Sequence, residues 1–526
     1  MSHSTGTLTG KRFEELLEEM RHRLGVGVTF DVLEREIVMA GRRTVLFFVD
    51  GFLKDKVTAD IIQALQSVER ADTVPGAIKK LLGRVIPYFE VSVVESIDEA
   101  VTEVLSGPMV VFIEGERQAI VLDVREYPVR SIDEPDLERV TRGSHEGLVE
   151  TIIFNTAMIR RRLRDPALRF EALKVGRRSK TDVAVGYIAD LADPRLVEKV
   201  KERIKRANLD ALPMGAKNLE EVIVQSPWNP IPKVRYTERP DVVAAHLLEG
   251  HLVILVDTTP MAMLVPVTFF HFLEHAEEFF QTPVIGTYLR WIRLLGFVVA
   301  ATLPPLWLAL YRSVEILPEP LSFIGPKEAN PPVPVPLQFL LLELGIDLIR
   351  MALIHTPSAL ATSLGIVGAI LLGDLAVQVG LFVPETILYM SIAAIGYFAV
   401  PSIEFGYAIR LFRYFLLALV VLFELPGFLL GSLAGFILLA RTRSLDAPYL
   451  WPLIPFHGPS LVKVLVRLPV PSVRQRPPLF GESSSDKTRR EGPQGAAAGG
   501  ADPAHGAGER NGHHHGHRNG RRNGRA

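Results

Sequence analysis

Alternating apolar and polar positions divide the first half of the chain into short helices and strands. Apolar residues recur at helical spacing in three segments, 13–24, 58–69 and 96–107. A continuous apolar run over 44–52 and a turn-centred run over 108–124 are typical of a buried strand and a hairpin. Period and length together therefore predict an α/β region.

The same pattern returns further along the chain. A strand is predicted at 181–190, helices at 194–208 and 238–250, and a hairpin at 251–267. Laid at an offset of 143 residues, 103–124 meets 246–267, and Gly107 coincides with Gly250. The matching order of elements predicts two related N-terminal α/β subdomains, 1–135 and 181–290, joined by a helical connector over 136–180.

From residue 291 onward, long apolar segments replace the short elements. A bilayer core is spanned by about 20 apolar residues in a helix. The apolar segments are 292–311, 337–354, 359–381, 384–400 and 409–440, the last interrupted by "ELPG" at 424–427. They predict an all-α polytopic membrane domain over 291–443 with about six spanning segments. Residues 337–354 remain either spanning or re-entrant.

Basic residues decide the orientation of those segments. An arrangement of about six crossings puts most flanking arginines on the cytoplasmic side and leaves Arg312 outside; the cytoplasmic ones are Arg290, Arg293, Arg350, Arg410, Arg413, Arg441 and Arg443. The N-terminal domain and the C-terminal region are therefore both expected in the cytoplasm. The polar N-terminus does not resemble a signal peptide. A juxtamembrane region is predicted over 444–470 and a disordered Gly/Arg/His-rich tail over 471–526, which is either solvated or binds metal or anionic lipid.

Composition narrows the classes of function. Charged residues make up 22% of the 526-residue chain, while the mean hydropathy is +0.22, so a charged soluble part is joined to an apolar one. The net charge of −1 gives no reason to expect a nucleic-acid partner. The absence of cysteine excludes disulfides, thiolate metal sites and cysteine nucleophiles. No nucleotide-binding loop or nucleophile elbow is found, and no catalytic residue or cofactor is expected.

Asp374 is the first candidate functional residue, because it lies in an apolar run. A carboxylate in hydrocarbon is costly, so such residues mark ion pathways or pair with another helix. At helical spacing, Asp374 and Gln378 share one side with Leu381. This side either faces a water-filled path that attracts cations or forms a hydrogen bond or salt bridge within the helix bundle.

Glu343, Asp347 and Arg350 form a second candidate group. Their spacing of four and three residues places them on one stripe of a predicted helix. In an oligomer, Glu343 or Asp347 would form a ring of negative charge that selects cations. The alternative is an ion ladder satisfied within one helix bundle.

Three further patterns have a structural interpretation, and two of them also have a functional alternative. Gly427, Gly431 and Gly435 recur every four residues, which lets helices approach closely. The arginine-rich run at 160–164 is either a salt-bridged face or a lipid-phosphate contact. "HFLEH", from His271 to His275, fits a zinc-protease pattern, but the chain then enters the apolar region, and a plain helix is the expected reading.

Several long stretches resemble the GerA family of spore germination proteins and, within it, the stage V sporulation branch. They include "RGSHEGLVETIIFNTAMIRRRLRDPALRF", "HLLEGHLVILVDTTP" and "LLGDLAVQVGLFVPE". The resemblance implies a protein of the spore inner membrane that forms a homo-oligomeric ion channel, with a pentamer as the expected assembly. Nutrient-receptor A subunits usually carry glutamine where this chain has Asp374, which favours an accessory channel over a nutrient receptor.

The residues and the resemblance together favour a subunit of an oligomeric ion channel. Its expected partners are further copies of itself, other germination proteins of the spore inner membrane, and membrane lipid. A transporter component for dipicolinate or another small solute is the second hypothesis. A membrane-tethered enzyme in residues 30–270 is the third, and no catalytic constellation supports it.

Overall fold

Two five-stranded antiparallel sheets followed by a helical region make up most of the described part of the chain. This computed structural model describes residues 12–69, 78, 91–125, 135, 138–226, 228–313, 331–355, 376–473, 475 and 476. Each sheet has five strands and is covered by helices. The predicted fold class, α/β subdomains followed by an apolar helical part, is confirmed.

The first sheet is formed by residues 32–122. Its strands are β1 (Val32–Met39), β2 (Arg42–Val49), β3 (Val91–Val94), β4 (Met109–Ile113) and β5 (Ala119–Leu122), in the order β1-β2-β4-β5-β3. Helices α1 (Phe13–Leu24), α2 (Asp55–Gln66) and α3 (Ile97–Ser106) accompany it. Gly107 ends α3 with a φ of 110°, a left-handed conformation that favours glycine.

The second sheet repeats the first strand for strand. Its strands are β6 (Leu168–Val175), β7 (Thr181–Ile188), β8 (Arg235–Thr237), β9 (Leu252–Val256) and β10 (Ala262–Val265), in the order β6-β7-β9-β10-β8. Its helices are α4 (Ile152–Arg162), α5 (Pro194–Lys205), α6 (Ala216–Val224) and α7 (Pro240–Leu247). Val110 pairs with Val121, and Val253 pairs with Leu264 at the same offset of 143 residues. The predicted internal repeat is therefore confirmed at the level of strand register.

The sequence pattern did not predict two strands at the edges of the sheets. The connector over 136–180 is predicted to be helical, but its described part contains one helix, α4, followed by strand β6. Strand β1 was also missed. Both strands lie at sheet edges and carry Arg, Glu or Lys at exposed or half-exposed positions. Charged residues on an edge strand blur the apolar alternation, and pairing with β2 or β7 decides the structure instead.

A buried ion pair connects the two subdomains. Arg160 on α4 donates from Nη2 to Asp31 Oδ1 at 3.0 Å, and both side chains are 1% exposed. The same guanidinium reaches the carbonyl of Leu168 at 3.2 Å. Arg161 and Arg162 pair with Glu146. The arginine-rich run is therefore a salt-bridged face.

The helical region contains long apolar helices. A 3₁₀ turn (Phe269–Phe272) and α8 (Glu277–Phe280) lead to α9 (Pro283–Arg312), α10 (Val335–His355), α11 (Ala376–Gln378), α12 (Pro384–Phe398) and α13 (Ile403–Arg441). Among the described residues, α9 and α13 are long and apolar enough to cross a membrane, by length and composition. Large apolar side chains also cover their outer surfaces, including Val284, Leu295, Leu422 and Leu430. This exposed apolar surface supports membrane association.

Helix α13 folds back on itself at Glu424. Glu424 has φ 54° and ψ −133°, so the long helix consists of two limbs across a kink. A Cβ at Gly427 would lie 2.2 Å from the Leu419 carbonyl oxygen, and one at Gly435 would lie 2.3 Å from Phe412. These pairs run in opposite directions, so the limbs form an antiparallel hairpin whose close approach is within one chain. The division at "ELPG" follows the sequence interpretation.

A second close approach gave no sequence signal. Helices α9 and α12 cross where Gly296 meets Gly396, and a Cβ at Gly396 would lie 2.6 Å from the Gly296 carbonyl oxygen. Backbones this close leave room only for glycine. The two glycines are isolated in sequence, so only the packing identifies them.

The segment after α13 returns to the second subdomain. It contains β11 (Arg443–Ser444), β12 (Ala447–Pro448), α14 (Gly458–Leu465) and a 3₁₀ turn (Val470–Ser472). The amide of Phe269 donates to the Tyr449 carbonyl at 2.8 Å, and that of Val267 donates to Ser444 Oγ at 3.0 Å. The helical region therefore begins and ends against the same subdomain.

Candidate functional site

A buried ionic cluster lies between α10 and α13. Arg413 donates to Glu343, and both side chains are 2% exposed. Arg410 Nε is 3.4 Å from the same Glu343 oxygen, and its Nη1 pairs with Asp347. Nη1 of Arg413 donates to the carbonyl of Ala300 on α9 at 2.6 Å. Three helices are therefore joined by charged groups inside an apolar region.

Aromatic side chains cover one side of this cluster. The Arg410 guanidinium lies 4.5 Å from the centre of the Tyr397 ring on α12. Arg350 lies 5.1 Å from the same ring and 4.8 Å from Tyr407, and it donates to the Tyr397 hydroxyl. Cation–π contacts of this kind stabilise desolvated guanidinium groups. Three arginines face two carboxylates, so the cluster carries a net positive charge.

The predicted stripe on α10 therefore faces other helices of the same chain. Glu343 is almost fully covered, whereas the side chain of Asp347 is 31% exposed. Arginines 410 and 413, which were expected to flank a span, lie inside helix α13 and are buried. These two arginines therefore do not indicate which side of the membrane the segment faces.

The other predicted polar site falls at the end of a helix. Gln378 is exposed and is the last residue of α11. Gly380 follows with a φ of 74°, so Leu381 lies beyond a turn and does not continue the side predicted for Gln378. Asp374 lies outside the described residues, and its role remains a prediction.

The sequence does not indicate the buried ion pair at the start of α9. Glu278 on α8 is fully buried and accepts from Arg290 Nε at 2.7 Å; Arg293 also donates to it. Arg290 Nη1 donates to the carbonyls of Lys463 and Val464, each at 2.7 Å. The pair ties α8, α9 and α14 together. Glu278 lies close to other charged residues in the sequence, and this pattern does not indicate that its side chain is buried.

Histidines from three elements of the second subdomain meet. "HFLEH" is not one helix, because His271 lies in the 3₁₀ turn and His275 follows its end. His271 instead meets His246 at the end of α7 and His251 before β9, and their ligand nitrogens lie within 4.8 Å of one another. Burial, reinforced by the charge of Arg235, holds the pKa of His246 well below its ordinary value. The cluster is consequently uncharged at neutral pH.

Comparison with known proteins gives consistent matches over most of the chain. A family profile described as Bacillus/Clostridium GerA spore germination protein matches residues 18–479. Stage V sporulation protein AF of Bacillus subtilis (strain 168) is 42% identical over 462 residues, covering 88% of this chain and 94% of that protein. Spore germination protein GerLA of Bacillus cereus is 31% identical over 477 residues, covering 89% and 96%.

The comparison with solved structures gives a match to the N-terminal half of the chain. It is the crystal structure of the N-terminal domain of the A subunit of the Bacillus megaterium spore germinant receptor GerK3. The sequence identity is 24% and the TM-score 0.41, and the match covers 51% of this chain and 99% of that domain.

Proposed function

The chain belongs to the GerA family of spore germination proteins, and from this membership we propose that it is an ion-conducting subunit of a membrane complex acting in germination. One observation carries the proposal: the cluster of Glu343, Asp347, Arg410 and Arg413 inside the apolar helical region. Ionisable side chains within membrane segments are expensive, and they commonly mark the path of an ion.

Unsatisfied polar atoms in this cluster favour a path over a purely structural ion pair. Glu343 Oε2, Arg410 Nε and Arg413 Nε are buried and have no hydrogen-bond partner among the residues that the structure describes. A packed structural salt bridge gains stability only when its remaining polar atoms are also satisfied. Water would supply a partner for all three atoms, and a passing cation would supply one for Glu343 Oε2.

The arrangement corresponds to a closed state in this proposal. Glu343 and Asp347 are neutralised by arginines, so neither carboxylate is available to a cation. Conduction requires Arg410 and Arg413 to move away from them, after which the carboxylates attract cations and offset ion dehydration. Asp374 is the second proposed pathway residue, because the predicted apolar segment contains this carboxylate.

The proposed setting is a multi-pass protein of the spore inner membrane with both ends in the cytoplasm. Support comes from the segment after α13, which hydrogen-bonds to Val267 and Phe269 of the second subdomain. A chain that leaves and rejoins the same soluble domain crosses the membrane an even number of times. The exposed apolar surfaces of the helices fit lipid and further copies of the chain, and we propose a homo-oligomer, with a pentamer as the expected assembly, acting with other germination proteins. This role needs no cofactor and no chemical transformation.

Ion flux through the purified full-length protein in sealed vesicles tests the proposal. Asp347→Asn releases Arg410 from one partner, so the basal leak should rise while the preference for cations falls. Glu404→Gln is the matched control, because Glu404 is an exposed acid on the same helix as Arg410. If wild type and Asp347→Asn assemble normally and neither conducts above empty vesicles, the channel proposal is wrong.

A further inference from the structure

We propose that His246, His251 and His271 form a binding site for a divalent transition-metal ion of the zinc class. The three residues lie in the second subdomain, on separate elements: the end of α7, the residue before β9, and the 3₁₀ turn after β10. This site is independent of the ionic cluster between α10 and α13.

The spacing of the three rings fits a shared metal ion. The ring centroids of His246 and His251 are 4.9 Å apart, those of His251 and His271 are 5.0 Å apart, and those of His246 and His271 are 5.4 Å apart. Tetrahedral coordination with zinc–nitrogen bonds of ~2.0–2.1 Å places imidazole centroids about 5 Å from one another. The rings are inclined at 54° to 83°, so none of the pairs is stacked.

Backbone carbonyls orient two of the rings for coordination. Nδ1 of His246 lies 2.8 Å from the Val242 carbonyl oxygen, and Nδ1 of His251 lies 2.7 Å from that of Pro266. Each Nδ1–H donates to its carbonyl, so the lone pair of each ring lies on Nε2, the atom that would bind a metal. Metal-binding histidines commonly use this outer hydrogen bond to fix the ring and its tautomer. Burial also keeps both rings neutral, the form that coordinates.

His271 joins the site by changing its tautomer. Its Nδ1 is 2.9 Å from the Thr268 amide nitrogen and 3.1 Å from Thr268 Oγ1. Without metal, Nδ1 accepts from the amide and Nε2 carries the proton. With metal on Nε2, that proton lies on Nδ1, which donates to Oγ1 instead; the Thr268 amide then loses its acceptor and must turn away from the ring. No net proton is released, but one hydrogen bond of the turn is exchanged for another.

Arg235 limits the affinity of this site. Its Nη1 lies 3.4 Å from His246 Nε2 and donates to the lone pair of that nitrogen, so an ion bound there must displace this hydrogen bond and lies beside a positive charge. Its Nη2 lies 3.3 Å from the Glu274 carbonyl oxygen and 3.5 Å from Glu138, which gives the guanidinium partners away from the histidines. Repulsion between like charges predicts that removing the Arg235 charge strengthens binding.

A cavity gives the ion access to the site. A space of ≈ 400 Å³ is lined by His246 and His271, together with Glu274 and His275. Zinc sites with three protein ligands keep a fourth position for water or another molecule, and this cavity provides room for one. The adjacent Phe269 and Phe272 each pack on Phe405 of α13, so an ion here would also stiffen the contact between the soluble domain and the apolar helices.

Metal uptake by the full-length chain in detergent tests the site. The background carries asparagine at His513, His514, His515 and His517, because this run of histidines in the tail binds metals by itself. Co²⁺ is the probe, followed by the visible absorption of its tetrahedral complexes, and Zn²⁺ should displace it. About one ion per chain is expected. A background protein that takes up no Co²⁺ or Zn²⁺ would overturn the proposal.

Three variants in this background locate the ion. His271→Gln should abolish the Co²⁺ spectrum, whereas the neighbouring His275→Gln should retain it. Arg235→Gln should tighten binding by about tenfold. The gain does not depend on whether His271→Gln folds well. Retention of the spectrum in His271→Gln, its loss in His275→Gln, or unchanged or weaker binding in Arg235→Gln would each contradict the assignment.

Discussion

Arg413 on α13 donates to Glu343 on α10, and each side chain is 2% exposed. The two residues lie in separate predicted apolar segments, and their spacing in sequence gives no hint that they meet. Removing two charges from water is costly, and the cost is offset only while the partners stay together. This pair therefore constrains how α10 and α13 separate.

Loss of the Glu343 charge should destabilise the helical region. Glu343→Gln leaves Arg413 and one side of Arg410 without a carboxylate, at a cost of about 3–5 kcal/mol. Asp347→Asn should cost about 1 kcal/mol or less, because the side chain of Asp347 is 31% exposed. Thermal unfolding in detergent measures both variants. Equal losses would mean that burial does not set the energy of these pairs.

The glycine stripe should be essential to the hairpin within α13. A Cβ at Gly431 would lie 2.6 Å from the Leu416 side chain and 2.8 Å from that of Leu419, so Gly431→Leu should separate the limbs. Overpacking of this kind costs about 1–3 kcal/mol or more. Leu429→Ile is the control, because Leu429 is 60% exposed.

The yield of folded protein in detergent compares these two variants. If both give the same yield, Gly431 does not lie at a close contact. Cross-linking between copies then separates the intramolecular hairpin from assembly. A loss of cross-linking in a well-folded Gly431→Leu protein would place the stripe between subunits.

Single cysteines should reveal the same orientation for both ends of the chain. The protein has no natural cysteine, so Met214→Cys, Val470→Cys and Glu424→Cys each give one label, and all three residues are exposed. Positions 214 and 470 should react with an impermeant reagent from one face of sealed vesicles. Position 424 should react from the other face, because it neighbours Arg312 at the far end of α9. Opposite labelling of 214 and 470 would rule out an even number of crossings.

His275 should make the stability of the protein depend on pH below neutrality. Burial, together with Arg293 and Arg235, lowers its pKa to about 4, against about 6.5 in an unfolded chain. At a pH between these two pKa values, His275 takes up a proton when the protein unfolds. The contribution of His275 is therefore complete above about pH 6.5 and is lost as the pH falls towards 4, by up to ~1.4 kcal/mol per pH unit.

Denaturant unfolding of wild type and His275→Gln across that pH range checks the effect. The difference between the two proteins should shrink steadily as the pH falls. A difference that stays constant with pH would show that His275 does not titrate in this way.

The repeated α/β units were largely determined by the sequence. The hairpins at 108–124 and 251–267 have apolar runs of strand length around turn residues, and helix α1 begins and ends where its spacing predicts. Such local signals are sufficient because each element buries one face against its own sheet. The edge strands β1 and β6 were not predicted. An exposed edge tolerates charged residues, so the alternation of apolar and polar residues along these strands is lost.

Only the tertiary structure decided which polar residues meet. Spacing placed Glu343 and Asp347 on one stripe of α10, but their partners Arg410 and Arg413 lie on another helix, across an interface that no local pattern encodes. The same holds for the three histidines on separate elements and for the crossing of α9 and α12 at two isolated glycines. Local periodicity reports which face of an element is buried. The packing of elements against one another determines which charge, ring or backbone is found there.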